Sequence, residues 1–488
     1  MLVEFRPHAR LRGERPADLG ASVLPVVAAV SASDTDLGKV RVVCDWVQYR
    51  NNFRDVVALR PILHSDAAPE PLGVRHDDLE IAVDVRRAVD APVGELTSAL
   101  LDGVRDRVLI EDWRPGRDSC VWQFNALYWS ALDLWEKATG RGYEQALPGG
   151  ESDARNRAAA TELIDELFTV WDRLAASAAL PDELYVIELG VGNGNQAKVF
   201  LDEFRDLDRE RGTGYYRRLR YLMCDYSAHV LDLARETVAE HTERVSSFTL
   251  DATRPRTSLG FLQYKVFLVY ISNVYDNLPT DEVAQLGGRT YCVHNRAYLP
   301  GEAAAELAES VSADVDELPA LVHKLLRLGP ALLAEACPTH FPDTGSAVRF
   351  WQRTWAALRL EERYVPLAGL DTYPLTGALT GETLRPLLES GADVRMHVNN
   401  GAVASFDDTL GLLHPFGKLV CHDLFVDGIQ GYRTTFRGPG KYDGSVVNWV
   451  NGALLAHVGR KRGFDVDYAP FRHRAGGHIV TMTAQVRD

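Results

Sequence analysis

Lysine is scarce in this 488-residue chain: 8 of its 53 basic residues are lysine and the rest arginine. That skew fits the codon bias of a GC-rich gene and carries no chemistry. Basic residues are themselves outnumbered by 68 Asp and Glu, which leaves a formal net charge of −15. Such a balance argues against wrapping DNA or RNA and against an electrostatic hold on anionic lipid, because both lean on Lys/Arg clusters. Cationic or neutral substrates fit it better. Cysteine is sparse as well. Cys44, Cys120, Cys224, Cys292, Cys337 and Cys421 are scattered with no C-x-x-C, against a disulfide framework or a structural zinc site. No apolar run approaches the ~20 residues of a membrane span, and the first residues lack the apolar stretch of a signal peptide. These absences lead us to expect a soluble, cytoplasmic protein that binds no metal, membrane or nucleic acid.

What is present is an ordinary globular composition, 46 % hydrophobic and 25 % charged, enough for roughly two to three domains. Residues 1–115 read as a small α+β unit, with strands expected at Val40 to Tyr49 and Leu79 to Val85 and a helix over about Val93 to Leu109. Its position suggests a lid or a dimerisation domain, or equally a plain extension. Residues 116–180 read as a helical lead-in, with apolar three- and four-residue spacing from Val121 to Trp135 and from Asp153 to Ala176. Over residues 181–299 short apolar runs alternate with helices: Leu184 to Leu189, Leu219 to Cys224, Ser246 to Leu250 and Lys265 to Ile271 as strands, Ala197 to Arg209 and Ala228 to Glu240 as helices. That alternation marks an α/β fold with a parallel sheet covered on both faces. Residues 300–416 read as a helical insertion capping the substrate, including 346–364. Residues 417–488 return to the sheet, with a strand at Lys418 to Phe425, a helix at about Val446 to Arg460, and two closing strands, Phe464 to Phe471 and His478 to Val486.

The strongest local signal is VIELGVGNGNQAKVF. Gly190, Gly192 and Gly194 form a G-x-G-x-G loop between strand and helix, where missing Cβ atoms let a nucleotide lie against the backbone. Glu188 stands two residues ahead of the first glycine. Dinucleotide enzymes want an apolar residue there and the longer G-x-G-x-x-G spacing, with a pyrophosphate at the helix N-terminus. A carboxylate would oppose a pyrophosphate but suits a cationic sulfonium or amino group.

The loop resembles motif I of the class I S-adenosylmethionine-dependent methyltransferases. The resemblance implies a Rossmann-like core with a seven-stranded, mostly parallel sheet and S-adenosylmethionine as cofactor. It also implies roles. Asp225, followed by Tyr226 and Ser227, would accept the ribose hydroxyls. Asp251, followed by Ala252, would meet the adenine amine, and Ser272 and Asn273 would lie beside the methyl-transfer point. Gly476 and Gly477 would join a terminal hairpin. From about Phe124 to Val486 the chain is further similar to the MidA family, which includes the mitochondrial complex I assembly methyltransferases. AAATELIDELFTVW, IELGVGNGNQA, CDYS, ISNVYDNLP, GKLVCHDLF and YRTTFRGPGKYDGSVVNWV carry that likeness. Aligned on Asp276-x-Leu278-Pro279, the family's Ser and Asn fall on Ile271 and Ser272, and its Glu falls on Asn273. Family members are associated with methylation of protein arginine, where a carboxylate pins the guanidinium.

Methylating a guanidinium, which keeps its proton to about pH 12, calls for carboxylates that orient the group and take the proton. Asp276 is the best-placed candidate, with Tyr275 as a wall or donor and Asn273 as a carbonyl for an amine. Glu335, His340, Glu361 and Glu362 in the insertion could add to it, and His422 with Asp423 ends the late strand at the same sheet edge. The expected function is N-methylation of a guanidino or amino group, in arginine, an arginine-like small molecule or a protein arginine, by a homodimer. Two alternatives stand beside it: a small-molecule O-methyltransferase with His422 as base, and a non-catalytic assembly factor that keeps the fold.

Overall fold

A computed structural model of the chain describes residues 1–5, 19–64, 78–140, 142, 157–389, 392–433, 437–473 and 477–487. Gly476, most of the loop after Thr139 and the start of the helix expected from Asp153 lie outside the described residues.

Two large sheets organise the molecule. The first has seven strands: β1 (Leu184–Leu189), β2 (Leu219–Asp225), β3 (Val245–Thr249), β4 (Val266–Ser272), β5 (Leu413–Asp423), β6 (Phe464–Pro470) and β7 (Val480–Val486). Their order is β3-β2-β1-β4-β5-β7-β6, with every neighbour parallel except β7, which runs against both β5 and β6. β1 and β4 are buried along almost their whole length, as the near-continuous apolar runs of a doubly covered parallel sheet require. Helices Arg157–Ala176 and Asn195–Arg211 cover one face through Trp171, Phe200 and Phe204; helices Asn400–Leu410 and Gly452–Lys461 cover the other through Phe406 and Leu455. The chain leaves β1 toward β2 and leaves β4 toward the opposite side. Their C-terminal ends therefore open a crevice at the switch point of the sheet.

The second sheet departs from expectation. Residues 23–101 hold a hydrophobic core of their own, with Val26, Val42, Val57, Ile81 and Val83 at its centre, but their sheet does not stop there: strands Leu2–Phe5, Val40–Asp45, Asp78–Asp84 and Val57–Ile62 continue, through Ile62 beside Tyr364, into Arg359–Pro366, Arg289–Pro300, Asp281–Leu286 and Val394–Val398 to make one ten-stranded sheet, with Arg107–Leu109 and Arg114–Pro115 also paired to Arg289–Pro300. The insertion is thus not all helical, and residues 281–299 belong to this second sheet. The expected helix over 346–364 stops at Ala357, because Leu360, Glu362 and Tyr364 alternate inward with Arg359, Glu361 and Arg363. Charge on both faces hides that period. Glu362 is buried because Arg54, Arg60 and Arg395 all reach it, at 2.6, 2.6 and 2.7 Å. The helix expected over 93–109 ends at Leu101, where Gly103 turns the chain at φ 77° and residues 107–109 are taken up by a strand. The helix expected from Val446 begins only at Gly452. Asn451 caps it, and Ser445–Val447 and Val450–Asn451 ahead of it are short strands.

Candidate functional site

A cavity of about 730 Å³ opens at the C-terminal ends of β1, β2 and β4, within the ~300–1,000 Å³ of small-molecule sites. The glycine loop forms one wall. Gly190 has φ 74°, and a Cβ there would sit 2.3 Å from Cγ2 of Val274; Gly194 has φ 80°, and its Cβ would sit 2.8 Å from Cα of Ala234. Side chains are excluded at both positions, by backbone conformation and by packing. Gly190 and Gly192 line the cavity, whereas Gly194 does not: it packs on Ala234 and leads directly into helix Asn195–Arg211.

Three acids line this end. Glu188, at the end of β1, is 3 % exposed and accepts from the Tyr221 hydroxyl at 2.6 Å; burial pushes its carboxyl up to about 8. Asp225, ending β2, accepts from Gly192 N–H at 3.2 Å and Ser227 N–H at 3.0 Å, and burial still lifts it to about 6. Asp251 is exposed on the rim, its Oδ1 taking both the N–H and the hydroxyl of Thr253 at 2.8 Å. Tyr226 and Ala252 stand on the wall beside them. Ser227 does not: it is buried as the N-cap of helix Ala228–Thr237, its Oγ accepting from Val230 N–H at 3.3 Å.

The opposite end is assembled from remote segments. Ser272 and Asn273 follow β4, and Asn273 takes a left-handed φ of 51° with its N–H on His422 O at 2.9 Å. Asp276 lies on the cavity wall, 5 % exposed, its carboxyl raised well above the usual range by burial and by the charge of Asp423. Tyr49 arrives from the N-terminal strands, Trp122, Tyr128 and Trp129 from helix Cys120–Ser130, and Tyr442 and Trp449 from the hairpin region after Gly440. None of these six was expected from sequence, although Tyr442 and Trp449 sit in the stretch singled out for its MidA likeness. Tyr49 is seated by Gly440, where a Cβ would meet Tyr49 Cγ at 2.5 Å. The hairpin turn is pinned at Asp443, which accepts from Trp135 Nε1 at 2.9 Å and Trp355 Nε1 at 2.6 Å. Gln196 also lines the cavity, 4 % exposed, with its carbonyl oxygen unpartnered among the described residues.

Other expected residues lie elsewhere. Tyr275 is fully buried in the core between the sheet and helix Asn400–Leu410, away from the cavity. His422 is buried against Tyr270 and Phe471, bonded through Nδ1 to Thr481 Oγ1 at 2.9 Å, and held down to about 4 by burial. Such an imidazole is neutral and does not face the cavity. Glu335 is exposed at the end of helix Leu318–Ala336, and His340 is engaged by Val311 O. Glu361 and Glu362 belong to ion pairs of the second sheet. Among the described residues no cluster of His, Cys, Asp and Glu could hold a metal, and no helix is long and apolar enough to cross a membrane.

No protein-family model matches the chain, and no curated protein matches it. Solved structures do. A Burkholderia thailandensis protein bound to S-adenosyl-homocysteine is similar at 15 % identity over 76 % of this chain and 88 % of its own, with a TM-score of 0.45. A native structure of an uncharacterised protein from the same organism is similar at 14 % identity, covering 76 % and 87 %, TM-score 0.42. The CcbJ methyltransferase of Streptomyces caelestis is similar at 12 % identity, covering 75 % and 99 %, TM-score 0.33.

Proposed function

We propose that the protein is an S-adenosylmethionine-dependent methyltransferase acting on the nitrogen of a guanidino or amino group, in arginine, an arginine-like small molecule or a protein arginine. The observation that carries this reading is Asp276: a buried carboxyl on an aromatic wall, in the same cavity as the glycine loop. The order of the seven strands with β7 reversed supports it, being that of the class I methyltransferase core.

The residues fit the cofactor. Gly190 and Gly192 line the cavity with backbone, and Glu188 is a buried acid that no cation accompanies among the described residues, which suits a sulfonium or ammonium. Asp225 retains lone pairs beyond its two backbone bonds for ribose hydroxyls, and Asp251, on the rim of the same end, would take an adenine amine. S-Adenosylmethionine supplies a methyl group on sulfonium, transferred by in-line displacement. The chain's own task is therefore mostly alignment. Tyr49 and Trp129 line this end beside Trp449, whose ring already carries the Arg437 guanidinium 4.1 Å from its centroid, and Asp276 orients the entering cation and takes the proton that the methylated nitrogen gives up. The O-methylation alternative loses its base, because His422 is turned into the core.

Incubation of the purified protein with labelled S-adenosylmethionine and a panel of guanidino and amine compounds, starting with free arginine, tests the reading. Label is expected on at least one of them. Transfer to none would overturn it.

A further inference from the structure

Asp423, at the end of β5, is fully buried and off the cavity wall. Its oxygens take three backbone N–H groups: Oδ1 from Leu424 at 2.7 Å, and Oδ2 from Tyr275 at 2.9 Å and Asp276 at 3.3 Å. An acid so held is stabilised as the anion. Asp276 sits beside it on the cavity wall. Its Oδ1 accepts from Asn277 Nδ2 at 2.8 Å, and no cation pairs with it among the described residues. Two buried carboxyls in this arrangement titrate as a pair, and the one with fewer donors keeps the proton. Burial and the neighbouring charge push Asp276 well up, whereas Asp423 rises only to about 6. Around the pair, Tyr49 and Cys421 are both held neutral by burial, and Arg437, stacked 4.1 Å over Trp449, acts on Tyr49 from beyond.

We propose that Asp423 is a positioning residue that keeps Asp276 protonated until a cation enters the aromatic end of the cavity, so that binding a guanidinium or ammonium expels a proton to solvent. The inference rests on the methyltransferase reading for its acceptor class. It adds that acceptor binding is a cation-for-proton exchange, stronger at higher pH, with Asp423 setting the pH at which it occurs.

Calorimetric titration of free arginine into protein saturated with S-adenosyl-homocysteine, at pH 7 in buffers of different ionisation enthalpy, counts the protons. Close to one proton should leave per cation bound. Asp276→Asn should release none. Asp423→Asn should still bind arginine but release less than half as many protons, with the rise of affinity shifted to lower pH. Difference infrared spectra of the unaltered protein supply a second readout: a protonated-carboxyl stretch lost on adding arginine and absent in Asp276→Asn. Arginine binding without proton release, or release undiminished in Asp423→Asn, would overturn the inference and leave the methyltransferase reading intact. If S-adenosyl-homocysteine binds and neither arginine nor methylguanidine does, the acceptor class falls and this inference falls with it.

Discussion

The two ends of the cavity are built on opposite principles. The glycine-loop end is made by consecutive strand ends of one sheet, with backbone doing most of the shaping: positive-φ glycines, a carboxyl bound by Gly192 and Ser227 amides, and a single buried acid at the strand terminus. The aromatic end is made by side chains from four separate stretches, one of which, carrying Tyr49, belongs to the N-terminal segment whose strands join the second sheet. One end is specified by local sequence and is hard to vary; the other is specified by long-range packing and can be rebuilt residue by residue. On the proposed methyltransferase reading, common cofactor and particular acceptor divide along the same line.

The largest effect should come from breaking the first end. Asp225→Ala removes the acceptor of Gly192 and Ser227 N–H, and Gly190→Val forces a side chain at φ 74° into Val274. Either is expected to weaken S-adenosyl-homocysteine binding by at least about 100-fold in calorimetry, comparable to several lost charge-assisted hydrogen bonds. Wild-type-like binding in both would show that the loop holds no cofactor. A scaffold that has lost its activity has no need of such binding.

Breaking the other end should leave binding of S-adenosyl-homocysteine within a few-fold of normal. Asp276→Asn is expected to cut methyl transfer by about 100-fold or more, in the range of lost general-base catalysis. The two ends thereby separate in a single pair of assays, binding and turnover. Loss of cofactor binding in Asp276→Asn would mean that the cavity is not divided as drawn.

How much of this was legible follows from the same contrast. The glycine loop, Glu188, Asp225 and Asp251 were readable because spacing along one chain segment fixes their place at successive strand ends. Tyr49, Trp122 and Trp449 were not, since nothing in the sequence states that residues 40–62 pair into a sheet with residues 359–366. The second sheet itself was hidden by its charges: Glu362 reads in the sequence as a candidate acid for the acceptor, whereas with Arg54, Arg60, Glu80, Glu282 and Arg395 it is buried in a network of ion pairs. Polarity predicts exposure only where no partner waits inside.

Electrostatics sharpen the contrast by a smaller amount. Glu188 keeps its proton to about pH 8 in the folded protein, against about 4.3 unfolded. The ligand-free fold therefore loses stability as pH rises from about 4.5 to 8, and a cationic ligand that needs the carboxylate binds more tightly over that window, by at most about tenfold per pH unit. Calorimetry between pH 6 and 9 should show affinity for S-adenosyl-homocysteine, whose amino group is cationic, rising and then levelling near pH 8. In Glu188→Gln the curve should be flat. Glu362→Gln strands three arginines in the second sheet and should cost about 3–5 kcal/mol of stability in denaturant unfolding, with cofactor affinity in the surviving folded protein unchanged.

The smallest expected effect is the one that divides adjacent residues. His422 and Asp423 end the same strand, and successive side chains of a strand point to opposite faces. Only one of them can face Asp276 at the aromatic end. Sequence could name the pair but not choose within it. The structure turns His422 onto Tyr270, Phe471 and Thr481, and turns Asp423 onto the backbone of Tyr275 and Asp276. His422→Ala should accordingly lower methyl transfer by no more than about threefold, while costing stability through the emptied site, about 2–4 kcal/mol by analogy with other large-to-small core changes. A deep loss of turnover with stability preserved would put an imidazole base back at the reacting atom and favour a hydroxyl or carboxylate acceptor over a guanidinium.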